Sequence, residues 1–144
     1  MTFLFGSWQF WAILAAIFAS LTAIFAKVGV SDIGSDFATF LRTLVVVTVL
    51  GILLWATGTH ERLDTISAKS ALFLVLSGLA TGASWVCYFR ALKIGQASQV
   101  APVDKLSVVL VAIFGAIFLG EQISPMGWVG VSLVGAGAVL IAVA

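Results

Sequence analysis

Asp104 and Lys105 stand side by side inside the apolar run Val100–Leu119, which is long enough to cross a bilayer. A charged side chain at membrane depth costs about 3 kcal/mol on insertion scales, so an ionisable residue there marks a candidate functional position. Two more cations, Lys27 and Arg42, lie in apolar surroundings. This set suits holding or moving a charged solute. Guanidinium and ammonium groups grip an anion through charge-assisted hydrogen bonds, and a carboxylate exchanges a proton. Catalysis fits poorly. No H-E-x-x-H, phosphate-binding loop, G-x-S-x-G or Cys/His cluster is present. One intramembrane carboxylate is too few for paired acid–base work. The one histidine, His60, sits in a polar loop beside Glu61, Arg62 and Asp64. The sequence reads as a non-enzyme, with no cofactor and no metal site.

The elements that position these residues are membrane helices. The chain of 144 residues is 62% hydrophobic and 9% charged, against about 25% charged in an ordinary soluble domain. Mean hydropathy is +1.21. A net charge of +1 offers no basic patch for nucleic acid. The single cysteine, Cys87, excludes an internal disulfide and reads as a small hydrophobe. The first apolar run is too long for a signal peptide and reads as a retained helix.

Five segments reach the roughly 20 apolar residues that a helical span needs: 8–30, 36–57, 70–92, 98–119 and 124–143. The breaks between them are short and polar, and Pro125 suits the first turn of the fifth. The runs are continuous rather than alternating, which excludes a β-barrel. The fold class expected is an all-α membrane protein, a five-helix bundle in one domain over 1–144. Trp8, Trp11, Trp55 and Trp128 all fall toward the face carrying the N-terminus, as an interfacial aromatic belt does.

The charges fall toward the opposite face. Lys27 and Arg90 close the first and third segments, while Arg42 and Asp104 each lie roughly 9 Å in from the start of the second and fourth. Successive helical residues do not face one another, so Asp104 is expected to pair with Arg42 or Lys27 rather than with Lys105. Arg90 is expected to snorkel to the interface on its apolar stem. On the third segment Ser77, Thr81, Ser84 and Tyr88 recur at helical spacing, bordered by Trp85, as a candidate cavity lining. Gly78 and Gly82 have small-xxx-small spacing, and Gly127, Gly130 and Gly137 are expected packing positions on the fifth segment.

Orientation is weakly encoded. With the N-terminus inside, Arg62 and Lys69 are cytoplasmic and Lys27, Arg90 and Lys93 are outside, two against three. So small a bias permits insertion both ways. Two oppositely inserted copies of a five-helix chain form an inverted-repeat pair, a common transporter architecture. An antiparallel homodimer is the expected assembly.

The stretch Tyr88-Phe-Arg-Ala-Leu-Lys-Ile-Gly-Gln-Ala-Ser-Gln-Val-Ala-Pro102, then Leu119-Gly-Glu121, then Gly130 and Gly135, resembles the EamA repeat of the drug/metabolite transporter superfamily. The resemblance extends over essentially the whole chain. It implies one repeat where typical members carry two, a dimer, and alternating access through a central cavity in an inner-membrane, multi-pass protein. By the same resemblance Pro102 marks the start of the fourth helix and Glu121 its end, both as structural boundaries. Asp104-Lys105 departs from the apolar sequence usual there. The substrate pathway expected is Arg42, Asp104, Lys105 and Lys27. Their excess of positive charge favours a small anionic or zwitterionic metabolite, with Asp104 as the carboxylate for proton coupling. A dual-topology anion channel, a non-transporting subunit and a lipid-carrier flippase are the alternatives.

Overall fold

The computed structural model describes residues 7–59 and 66–144. His60, Glu61, Arg62 and Asp64 lie outside the described residues. The described chain is all-α, and five of its helical stretches are long and apolar enough to span a membrane. These are Trp8–Gly29 (α1), Ser35–Thr57 (α2), Ala68–Ile94 (α3), Ala97–Leu119, and Pro125–Val143. Their ends fall within two residues of those read in the sequence, because the polar breaks and the capping residues coincide. Gly58 ends α2 at φ 64, a left-handed conformation that glycine adopts without a Cβ clash. Ser124 accepts the Gly127 N–H at 3.1 Å, and Pro125 follows it at the first helical position.

The fourth span is not one helix. It consists of Ala97–Asp104 (α4), Leu106–Phe114 (α5) and a π-helical turn over Gly115–Leu119. The fifth span is α6, Pro125–Val143. Pro102 lies in the last turn of α4 rather than at its start. Proline has no N–H to give the Ser98 carbonyl one turn back, whereas the break itself comes beyond it, at Lys105. The Lys105 N–H bonds the Pro102 carbonyl at 3.0 Å, a tightened turn, and the Lys105 carbonyl starts α5 by accepting from Val108 at 2.9 Å. At the far end the Glu121 N–H bonds the Gly115 carbonyl at 3.1 Å, and Gly120 closes the turn at φ 68.

Two compact units result, 1–27 with 94–144, and 28–93. In the first, α4 and α5 both pack on α6. The close approach is at Gly135, where an added Cβ would lie 3.1 Å from Val109 Cγ2. Gly130 and Gly137, expected as packing positions, have nothing within 4 Å, and Gly127 faces its own N-terminal turn through Ile123. The second unit is α2 and α3 running antiparallel. Its most buried residues, Val30, Ala38, Thr39, Phe89 and Leu92, fall toward the turn before α2 and the end of α3.

The protein's surface is hydrocarbon. At most 11% of the apolar window of any span is buried. Trp8, Trp11, Trp55 and Trp128 are all exposed in terminal turns of α1, α2 and α6. So much exposed apolar surface, with the backbone bonded within helices, requires lipid or another apolar partner around it.

Candidate functional site

The unit of α2 and α3 holds a cleft of about 560 Å³. Its lining includes Asp36, Thr39 and Thr43 from α2 and Ser77, Thr81 and Trp85 from α3. Helical spacing explains the set: 36, 39 and 43 recur on one face of α2, and 77, 81 and 85 on one face of α3. Gly78 and Gly82 also line it and keep it wide, since nothing lies within 4 Å of either missing Cβ. Three hydroxyls donate to their own helix: Thr39 to the Ser35 carbonyl at 2.8 Å, Thr43 to Thr39 at 2.8 Å, and Thr81 to Ser77 at 2.9 Å. Their oxygens remain as acceptors.

Three basic residues outside the lining follow one another inward from the start of α2 and the end of α3, beside the Asp36 end of this cleft. Outermost, the Lys93 ammonium donates to the carbonyls of Val30, Ser31 and Ile33 at 2.8, 2.7 and 3.0 Å. Next, Arg90 grips Asp36 in a two-bond fork, Nε to Oδ1 at 2.9 Å and Nη2 to Oδ2 at 2.7 Å. Deepest is Arg42, whose guanidinium lies 4.2 Å from the centre of the Trp85 ring and 5.7 Å from that of Phe89. No carboxylate bonds Arg42 among the described residues.

The structure thus rearranges the expected pairings. Asp104 takes Lys105 after all, Nζ to Oδ2 at 3.3 Å, and Arg42 takes aromatic rings in place of a carboxylate. The rule that helical neighbours diverge fails here because the helix breaks between Asp104 and Lys105 and the long lysine stem folds back. Lys27 donates to the Gly95 carbonyl at 2.7 Å, which assigns it to the loop before α4. Of the expected cavity residues, Ser77, Thr81 and Trp85 meet at the cleft, while Ser84 and Tyr88 are not in its lining. Glu121 lays its carboxylate on the π turn, with Oε2 2.7 Å from where a Cβ on Gly115 would stand.

Comparison with known proteins decides the family. The EamA-like transporter family matches residues 6–143. The chain belongs to this family. A Sinorhizobium sp. protein described as an uncharacterized transporter in the cobO 3′ region is 59% identical over 137 residues, covering 95% of this chain and 97% of the relative. No solved structure matches. This EamA-like chain is therefore a multi-pass membrane protein and, in general terms, a drug/metabolite transporter whose helices contact lipid.

Sequence reasoning passed over two residues at the cleft of this EamA-like transporter. Arg90 was assigned to the interface alone, and Asp36 only to the start of the second segment. Counting depth would have found the pair, since each lies within a turn or so of the same end of antiparallel neighbours.

Proposed function

We propose that this transporter moves a small anionic or zwitterionic metabolite across the inner membrane by alternating access, and that Arg42 holds the solute's negative group. The observation that carries this is the Arg42 guanidinium: half-buried, stacked on Trp85 beside the cleft, and bonded by no carboxylate among the described residues. Four other cations have partners, with Lys93 on turn carbonyls, Arg90 on Asp36, Lys105 on Asp104 and Lys27 on Gly95. A guanidinium kept from a carboxylate presents its fork of N–H donors to an incoming carboxylate or phosphate-like group. Lys105, neutralised locally by Asp104, ranks second to Arg42 in this reading.

The working form is an antiparallel homodimer of one domain per chain. The near balance of loop charges supports opposite insertion, and the apolar exposure of every span leaves surface for a second copy. Two oppositely inserted copies turn one Arg42 cleft toward each membrane face. Asp104, at the break in the fourth span, is assigned to proton coupling.

Reconstitution tests the reading. Purified protein in liposomes takes up carboxylate and zwitterionic solutes in preference to organic cations. Arg42→Gln reduces that uptake roughly ten- to a hundredfold, the scale of losing hydrogen bonds to a charged group. Preference for cations, or uptake unaffected by Arg42→Gln, would overturn it.

A further inference from the structure

The transport role proposed for Arg42 leaves Asp36 and Arg90 unexplained. Asp36 lines the cleft from α2, and Arg90 on α3 holds it by two bonds of 2.9 and 2.7 Å. The pair therefore spans the two helices at the end of the cleft. Thr39 lies roughly one turn inward of Asp36 and Arg42 roughly two, about 4.5 and 9 Å along the helix. A solute entering from this end meets Arg90 before it meets Arg42.

Three features make this pair exchangeable rather than a fixed staple. Both side chains are exposed in the protomer, 61% for Arg90 and 59% for Asp36, and both lie in terminal turns of their helices, so no neighbouring side chain encloses the pair. Exposed ion pairs hold weakly against competition from solvent and ions. The fork on Arg90 matches any planar two-oxygen anion, so an incoming carboxylate offers Arg90 the geometry that Asp36 offers. Lys93 already secures the neighbouring turn through three carbonyls, so the fold at this end has a second anchor when the pair opens.

We propose that Asp36–Arg90 is the gate of the cleft, opened when the solute's anionic group replaces Asp36 on Arg90 before passing inward to Arg42. Arg90 is then a solute-binding residue and Asp36 its resident competitor. The solute binds the open state better than the closed one, which is the differential affinity that shifts a gate. This rests on the anion reading of Arg42, and the two fail separately.

The test uses full-length protein in proteoliposomes with Cys87→Ala, which removes the only cysteine. Thr39→Cys then places a single thiol inside the gate, and Thr43→Cys a second position should the first fold poorly. Two membrane-impermeant probes are compared, anionic sulfonatoethyl methanethiosulfonate and cationic trimethylammonioethyl methanethiosulfonate. With the pair intact, both label slowly. Asp36→Asn opens the gate and leaves Arg90, raising the anionic rate roughly two- to fivefold over the cationic one. Arg90→Gln opens it and leaves Asp36, producing the opposite preference. The swap D36R/R90D restores slow labelling. A structural staple would move both probes alike in both variants, and that result would overturn the gate. So would rates indifferent to Asp36 and Arg90, or no labelling at either position. Should Arg42→Gln abolish uptake while labelling ignores the pair, the gate alone is wrong. Should the labelling pattern hold while Arg42→Gln transports normally, the anion reading is wrong and the gate stands.

Discussion

Arg42 rests its guanidinium 4.2 Å from the centre of the Trp85 ring, and Trp85 is at the same time a wall of the cleft between α2 and α3. One ring thus joins the deepest cation to the space a solute would occupy. A ring contact of this kind holds a cation without accepting its N–H hydrogen bonds. A carboxylate partner would have held it too, but would have consumed those hydrogen bonds.

Removing the ring should therefore weaken anion binding without removing the charge. Trp85→Ala lowers affinity for a carboxylate solute by about 0.5–2 kcal/mol, roughly two- to thirtyfold. Trp85→Phe retains part of it. Arg42→Lys behaves more like the loss of Arg42 than like wild type, because an ammonium neither stacks as a plane nor presents a fork. Competition of unlabelled solute against uptake in liposomes measures all three. Wild-type affinity in Trp85→Ala would mean that the ring does not position the cation.

How far the sequence carried the site is visible in these residues. The five spans were legible because apolar length is a property of the chain itself, and helical spacing placed Ser77 and Thr81 on a stripe bordered by Trp85, although Ser84 and Tyr88 of that stripe do not line the cleft. The partner of Arg42 was not legible. Depth counting could rank Arg42 and Asp104 alike, but it says nothing about rotation around a helix axis, which brings Arg42 to Trp85. The break at Lys105 was hidden for another reason: neither Asp104 nor Lys105 is a helix-breaking residue, and the proline nearby, Pro102, perturbs the turn before it rather than the one after. Gly135 enters the family resemblance but not the expected packing positions, because a small residue packs only where a neighbour arrives, and Val109 does so there.

Asp104 carries the prediction for coupling. It lies at the break between α4 and α5 with Lys105 at 3.3 Å, its side chain 37% exposed in the protomer. Asp104→Asn abolishes uptake driven by a pH gradient and leaves counterflow exchange of labelled for unlabelled solute intact. Both are measured in the same liposomes. Gradient-driven uptake at the wild-type rate would remove Asp104 from the coupling path.

Lys93 is expected to matter for folding more than for transport. Its ammonium gathers the Val30, Ser31 and Ile33 carbonyls, which follow α1 and would otherwise rely on water. Lys93→Met keeps the apolar stem and removes the donors. The unfolding temperature in detergent falls by about 2–5 °C, the shift expected for roughly 1 kcal/mol in a chain of this size. An unchanged temperature would show that solvent replaces the clamp at no cost.

The glycines of α6 separate folding from assembly. Gly135 faces Val109 at 3.1 Å, so Gly135→Leu overpacks the contact of α6 with α5 and destabilises the protomer by about 1–3 kcal/mol. Gly130 and Gly137 have nothing within 4 Å, so leucine at either leaves protomer stability unchanged. If the second copy packs against that open stripe, the same substitutions shift the dimer to monomer in size-exclusion chromatography with light scattering. Loss of protomer stability in Gly130→Leu would contradict the open environment seen there.

Antiparallel assembly makes the most direct demand on the cell. Arg62 and Lys69 against Lys27, Arg90 and Lys93 is a difference of one residue, and under the dimer proposal so small a bias admits both orientations. Reporters fused to the C-terminus, one active only in the cytoplasm and one only outside it, should both give signal. Adding one lysine beside Lys69, at the start of α3, should bias the population toward that end of α3 lying inside. Adding one to the loop around Lys93 should bias it the other way. Each singly biased chain should transport poorly alone, and the two co-expressed should recover activity, because only the mixture contains both orientations. A single orientation in the unmodified chain, or full activity from one biased chain, would rule out the antiparallel dimer while leaving the Arg42 cleft untouched.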